Sequence, residues 1–457
     1  MEARELGGVE RMTLALDRVA TVNFTTIARV RGGFDDAQLR HALDTLARRH
    51  PSLTSRLFRS RFRWYLQPNT VHSIESRTIS CDPEAWVPHA EAETKHETWP
   101  LDGPRARCTR LRHGDSDSTL LLTFHHVVSD GKSGVLVMRD LIRLLADPSL
   151  ALPVIPTSPQ ESFFPAAYRP SQNLGKAFGL LARDMRATAA TRLSSENRAP
   201  VEERTQRVVP VRFTEEQTSA LRALARREGY TVHGLLSAAL MLAVYETGDW
   251  NDERTMRFFH PLDLRVYLEQ IRQRTGEELP RIGEASGVYV SYVDSEHRVS
   301  PGTELHALGR DVTGQIQSQK ADGIPFLTSP FSGRLIPWMR ALLGPRRMLR
   351  LCESQLTRRS FAFTNLGLLE RLDVREHYGG LEIEELHFFA AVSTMGPLGA
   401  TATTFRNRLQ LNLGHVEPVL GRVTMDRFRH HLMNRLDAVG VSGRNMDPRP
   451  VASTSGE

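Results

Sequence analysis

Leu120-Leu121-Leu122-Thr123-Phe124-His125-His126-Val127-Val128-Ser129-Asp130-Gly131 is the stretch on which the reading of this chain turns. Its apolar first half has the composition of a buried strand. Beyond Gly131 the pattern becomes helical, with Val135, Met138, Leu141, Ile142 and Leu145 spaced along one apolar face. The two histidines therefore fall where a strand ends and a loop begins, a place where a fixed backbone opens towards a cleft. An imidazole there titrates near neutral pH and takes a proton from a hydroxyl or amine when one ring nitrogen is unprotonated. Adjacent strand residues face opposite sides, so one histidine faces the cleft and the other packs inward, a poor arrangement for sharing one metal ion. Asp130 is placed to hold the ring or to lock the loop through an arginine. Gly131 lets a substrate or another strand come close because it has no Cβ.

Outward from this stretch, Arg105 to Arg112 and Thr119 to His125 read as a hairpin turning at His113-Gly114-Asp115, which pairs the motif strand in a sheet. Further upstream, an extended region through Asn23–Val30 precedes a helix capped by Asp35 or Asp36, with Leu39, Ala42, Leu43, Leu46 and Ala47 on one face and a stop at Arg48-Arg49-His50-Pro51. Downstream, the proline-rich run from Pro153 to Pro170 reads as loop and Leu174 to Thr191 as an amphipathic helix.

The second half restarts the pattern. Arg207 to Phe213 reads as a strand, Thr214-Glu215-Glu216-Gln217 as a capping box, Val232 to Tyr245 as a buried helix and Thr255 to His260 as a strand. Gly287 to Val293 alternates like a strand; Leu386–Ser393, Thr401–Phe405 and Leu409–Leu413 are short strand-like runs joined by glycine-containing or polar turns, with a helix over Met425–Val439. Residues Phe326 to Leu351 read as helices packed between the halves, with a lid or lipid-facing surface as the other reading. His415, His430 and His431 are expected at the surface of strand ends or helices. Residues 194–206 are polar enough for a linker, which gives domains over 1–193 and 207–441 and a disordered tail over 442–457.

The string His125-His126-x-x-x-Asp130-Gly131 resembles the motif of the condensation-domain and CoA-dependent acyltransferase superfamily. The resemblance is greatest to the stand-alone bacterial enzymes that acylate alcohols, such as phthiocerol dimycocerosyl transferases and alcohol acetyltransferases. The order strand, helix, Arg49-His50-Pro51-x-Leu53 is similar to the superfamily's opening, although Thr54 stands where many relatives have arginine. Pro261-Leu262-Asp263-Leu264-Arg265 and Asn365-Leu366-Gly367 resemble two further segments.

The resemblance implies an α/β fold of two chloramphenicol-acetyltransferase-like subdomains, mixed sheets with flanking helices, and an active-site tunnel between them. It implies catalysis by His126 with Asp130, support of the site by His125, Gly131, Arg265 and Asn365, and Arg265 rather than Arg56 as the brace for Asp130. It also implies direct acyl transfer from acyl-CoA or a phosphopantetheinyl acyl carrier protein to the hydroxyl of a small-molecule acceptor, without metal or tightly held cofactor. The alternatives are a condensation-type enzyme forming an amide between carrier-bound substrates, and a non-catalytic module that recruits a carrier.

Composition frames these expectations. A chain of 457 residues exceeds one ordinary core. No apolar run is long enough to cross a bilayer and the first residues are charged, so a cytoplasmic protein, here taken as a monomer, is expected. Cys81, Cys108 and Cys352 lack metal-ligand spacing, and no Gly-x-Ser-x-Gly elbow offers a nucleophile. The net charge of +6 comes from arginine, lysine appearing only at Lys95, Lys132, Lys176 and Lys320. It suits an acidic carrier protein or the phosphates of coenzyme A, whereas no motif for nucleic acid accompanies it.

Overall fold

Two helices begin by the same local device. The Asp35 carboxylate accepts the Gln38 N–H at 2.7 Å while the Gln38 side chain accepts the Asp35 N–H at 2.8 Å, opening the Asp36–Arg49 helix. Thr214 and Gln217 repeat the exchange at the start of the Glu215–Arg227 helix. Each box supplies partners for backbone N–H groups that a helix end leaves unpaired. The second box is read directly from Thr214-Glu215-Glu216-Gln217, whereas the sequence leaves the first cap between Asp35 and Asp36, and the structure assigns it to Asp35.

The computed structural model describes residues 2–17, 21–69, 73–95, 99–168, 190–200, 203–328, 359–392 and 396–441, with a few positions between 173 and 182 and Gly344. The expected tail over 442–457, most of the helix expected over 174–191, most of the stretch from 326 to 351, and Cys352 lie outside the described residues.

Two six-stranded mixed sheets with flanking helices form the framework. The first runs His377–Tyr378, Leu381–Ala390, Asn23–Arg31, Asp117–His125, Ala106–His113, Glu75–Ser80. The second runs Val290–Val299, Arg254–Asp263, Phe361–Leu368, Leu398–Phe405, Arg408–Glu417, Thr205–Arg212. The motif strand is central in the first, between Asn23–Arg31 and Ala106–His113, and is buried on both faces over Ser118–His125. That explains its continuous apolar run. The Gly131–Ala146 helix packs its expected apolar face on this sheet, and the Val232–Thr247 helix is buried almost throughout in the core of the other half.

The division of the chain at residues 194–206 does not divide the fold. Leu381–Ala390 leaves the second half and pairs with Asn23–Arg31, so the first sheet takes two strands from beyond residue 370. The sequence reading placed a strand-like run at Leu386–Ser393, whereas the strand runs from Leu381 to Ala390, and the run did not show its partner, since a strand pattern reports faces and not edges. The run Gly287–Val293 is corrected too: the strand starts at Val290, and the residues before it serve the site instead. Gly8–Asp17 and Leu305–Ala321 are helices that the sequence reading passed over. Among the described residues no helix is long and apolar enough to cross a membrane.

Candidate active site

His125 and His126 part company as strand alternation requires. His125 is buried, its Nδ1 accepting the Val127 N–H at 3.0 Å and its Nε2 lying 3.2 Å from Asp17. Trp99 stands edge-on to its ring, and the indole N–H donates to Asn23 Oδ1 at 2.8 Å. Asp17 ends the first helix, an element and a partner that no local pattern near the motif announced.

His126 is partly exposed, with Phe24 edge-on at 5.3 Å. Its Nδ1 lies 2.7 Å from the Ser129 carbonyl oxygen. A carbonyl only accepts, so Nδ1 carries the proton and Nε2 is left with a free lone pair. The protein mass around the ring lowers its pKa from the ordinary histidine value, an effect that the Asp130 carboxylate only partly opposes. Neutral imidazole with a basic Nε2 is the resulting state near neutral pH.

Asp130 was expected to hold this ring or to lock its loop, and the structure gives it the second task. Its Oδ1 accepts the Ser133 N–H at 2.7 Å, capping the Gly131–Ala146 helix, and its Oδ2 accepts the Tyr289 N–H at 2.7 Å. Arg265 approaches Oδ2 at 3.3 Å. With both oxygens engaged, Asp130 is a positioning residue and the direct catalytic role expected of it is withdrawn. Arg265 also reaches Asp263 at 3.2 Å, Ser133 Oγ at 2.8 Å and the Ala285 carbonyl at 2.9 Å, and lies over the Tyr289 ring at 4.7 Å. Burial pulls the guanidinium pKa down, but the carboxylates of Asp130 and Asp263 outweigh it and leave the pKa raised. Arg56 is elsewhere, bonded to Gln67.

Arg265 is one part of a clasp that the second half closes on the motif loop. Ser286 donates to the Val128 carbonyl at 3.2 Å, and Ser133 donates to the Gly287 carbonyl at 2.8 Å. Arg139 meets Glu284 at 2.7 Å, as does Arg49. Arg49 and His50, from the Arg-His-Pro string, also bind the buried Asp140 on the motif helix, His50 Nε2 at 3.1 Å. Burial alone would raise the Asp140 pKa, but His50 and the arginines hold it far below the usual carboxylate range.

Gly131 admits the close neighbour its lack of a Cβ suggested. A Cβ there would lie 3.3 Å from Leu366 and from Phe388, the latter on the crossing strand. Asn365 shapes a turn: its Oδ1 accepts the Gly367 N–H at 2.8 Å, and Gly367 has φ +74°, which favours glycine.

A cavity of about 390 Å³ opens between the halves, with Asp130, Gly131, Lys132, His233, Pro261 and Asn365 on its wall. His126 precedes these loop residues. His233 was not singled out by sequence. Its Nε2 lies 2.9 Å from His260 Nδ1, and His260 Nε2 lies 2.8 Å from Ser295 Oγ. Burial lowers the pKa of His233 to about 4.

His415 is corrected from surface to buried, with a pKa lowered by burial to about 4, whereas His430 is exposed and His431 half-buried. Burial pushes the Cys108 thiol up to about 12, an inert setting, and Cys81 is half-buried. Among the described residues no group of three His, Cys, Asp or Glu is placed to hold a metal ion.

Residues 202–414 match the family model described as phthiocerol/phthiodiolone dimycocerosyl transferase C-terminus. The chain is 28% identical over 251 residues, 52% of its length, to phosphinothricin tripeptide synthetase from Streptomyces viridochromogenes, and spans 21% of that synthetase. In fold it is similar to polyketide synthase associated protein 5 from Mycobacterium tuberculosis, with TM-score 0.62 and 17% identity, covering 95% of this chain and 97% of that one. It is also similar to trichothecene 15-O-acetyltransferase from Fusarium sporotrichioides, with TM-score 0.70 and 12% identity over 96% and 95% of the two chains.

Proposed function

We propose that this chain, which belongs to the condensation-domain and CoA-dependent acyltransferase superfamily, moves an acyl group from a thioester to a hydroxyl of a polyketide, lipid or other natural-product acceptor. The observation that carries the reading is the Nδ1–H of His126 held on the Ser129 carbonyl, which leaves Nε2 unprotonated. As the acceptor oxygen attacks the thioester carbonyl, Nε2 takes the hydroxyl proton. The tetrahedral intermediate then collapses, the C–S bond breaks, and the thiolate takes the proton back from Nε2 as it leaves as thiol. Nothing is oxidised or reduced, and no acyl-enzyme forms. The donor is acyl-CoA or a phosphopantetheinyl acyl carrier protein, the carrier or a polyketide synthase carrier domain being the protein partner. No tightly bound cofactor enters.

The likeness to a tripeptide synthetase favours a second reading, amide formation with an amine acceptor by the same proton transfer. Both are tested by thiol release from acyl-CoA and acyl-carrier thioesters, with alcohols or amines, in wild type and His126→Ala. Acceptor-dependent release that collapses in the variant supports transfer, and the effective acceptor separates ester from amide. Release undiminished in His126→Ala overturns both.

A further inference from the structure

The hairpin that follows the Arg-His-Pro string takes no part in the chemistry above. Arg56–Ser60 and Arg63–Gln67 pair antiparallel, with Ser60 opposite Arg63, and Arg4–Glu5 extends them to a three-stranded sheet. Leu57 and Leu66 lie opposite each other and are buried in the core of the first half. The alternate positions therefore face outward, where Phe58 stacks on Tyr65 at 5.3 Å and Arg56 lies over the Phe58 ring at 5.6 Å.

Arg61 and Phe62 form the turn that joins the two strands. Two-residue hairpin turns favour asparagine and glycine, because such turns need φ > 0. Here Arg61 holds φ +53°, and Phe62 is 89% exposed, more than any other large apolar side chain among the described residues. A polar turn would serve folding better, so an arginine in a disfavoured conformation beside a phenylalanine left in water points to use.

Charge indicates the partner. Residues 56–63 hold four arginines and no aspartate or glutamate. Arg63 meets Glu5 at 2.9 Å, and the hydrogen bonds of Arg56 go to the neutral Gln67 side chain. Arg59 and Arg61 are exposed and have no carboxylate partner among the described residues. An aromatic apex with unneutralised guanidinium groups beside it suits the boundary of an anionic bilayer, where the ring enters the headgroup layer and the arginines meet phosphates. An acidic protein would match the charge, but a convex apex would require a pocket fitted to it. The headgroup layer needs none.

We propose that the 56–67 hairpin docks the protein on the surface of an anionic phospholipid bilayer, with Phe62 in the headgroup layer. The base of the hairpin is tied to the motif strand. The Arg105 N–H donates to the Leu53 carbonyl at 2.6 Å and its guanidinium to the Ser55 carbonyl at 3.2 Å, while the Arg105 carbonyl accepts the His125 N–H at 3.0 Å. Docking therefore holds the motif at a fixed position relative to the bilayer, an arrangement suited to a substrate that resides there.

The test is co-sedimentation of the full chain with vesicles of equimolar phosphatidylglycerol and phosphatidylcholine, or of phosphatidylcholine alone. Wild type is expected to partition on the order of tenfold more strongly onto the mixed vesicles, a preference that fades with salt. R59Q/R61Q and F62S are each expected to weaken that partition on the order of tenfold, the first by removing charge and the second by removing the apolar anchor. Both should keep the wild-type melting temperature, because the side chains are exposed. In F62W the new indole should be quenched by brominated acyl chains beyond the quenching seen for wild type.

Equal partition of wild type onto the two kinds of vesicle overturns the docking. So does wild-type partition by both variants, or by F62S alone. Vesicle binding without added quenching in F62W shows that another face makes the contact and overturns it too. Self-association, or binding of an apo acyl carrier protein, that is lost in F62S while no vesicle is bound gives the apex to a protein partner instead. Each readout is independent of turnover, so failure here leaves the acyl-transfer reading where it stands.

Discussion

Replacing Arg265 with methionine removes the cation between Asp130 and Asp263, and its cost follows from what each carboxylate keeps. Asp263 retains Lys132 at 2.9 Å, whereas Asp130 loses its only ion-pair partner among the described residues. The side chains of Arg265 and Asp130 are 11% and 5% exposed, so solvent does little to restore the balance. Removing one partner of a buried pair costs about 3–5 kcal/mol, much of it the stranded charge. Asp130→Asn is milder, because asparagine still caps the Gly131–Ala146 helix and Arg265 keeps Asp263, and it should cost about 1–2 kcal/mol. In the double variant R265M/D130N no charge is stranded, so its cost should fall short of the sum by about 2 kcal/mol. Urea unfolding of the four proteins, followed by tryptophan emission at matched m-values, measures this coupling. In parallel, kcat/KM for R265M should fall by about two orders of magnitude, because the loop that sets His126 loses its brace. Additivity within about 0.5 kcal/mol would refute the clasp as an electrostatic device.

The acid limb of kcat/KM should lie below pH 6.5, the ordinary histidine value, because burial lowers the His126 pKa; a limb above it would contradict a desolvated base. Stability should also fall on acidification. His387 and His415 have folded pKa values of about 3 and 4, lowered first by burial, so the unfolded chain binds protons before the native one. Their contribution is therefore complete above pH 6.5 and is lost as pH falls towards about 4 for His415 and about 3 for His387, on the order of 3–5 kcal/mol for each ring as an upper bound. A urea midpoint unchanged between pH 7 and pH 5 would exclude it. Gly134→Ala should cost about 1–3 kcal/mol by overpacking. Its Cβ would sit 2.6 Å from Thr26 Oγ1 and 2.8 Å from Phe24 Cε2. Since Phe24 packs against His126, turnover measured well below the melting temperature should fall as well, and unchanged turnover would show that Phe24 does not set the ring.

What the sequence disclosed about the site tracks the range over which each interaction acts. The cap at Thr214, the hairpin at Gly114 and the stop at Pro51 are settled within a few residues, and each was legible, as was the cap at Asp35 to within one residue. Arg265 was legible only because its Pro-x-Asp-Leu-Arg setting resembles a known segment, since no local signal joins it to a carboxylate 135 positions away. Asp17, Glu284, Ser286 and Tyr289 lacked even that. Nothing in the composition of Gly287–Val293 distinguishes a strand from a clasp whose backbone N–H is spent on Asp130, because both are extended chains of small and β-favouring residues.

Gly131 shows where the limit falls. Its missing Cβ said that something comes close, and the residues around it could not say what. The neighbour is Phe388, carried in by a strand that leaves the second half to pair with Asn23–Arg31 in the first sheet. The strand that crosses between the halves and the glycine that admits it are therefore one constraint read at two distant positions. A larger residue at 131 would press on Phe388 and on Leu366, which with Gly367 lines the cavity between the halves. The glycine of the motif thus maintains the wall of that cavity as well as the loop. That role follows from packing across the crossover, and a pattern of residue types along the chain carries no record of it.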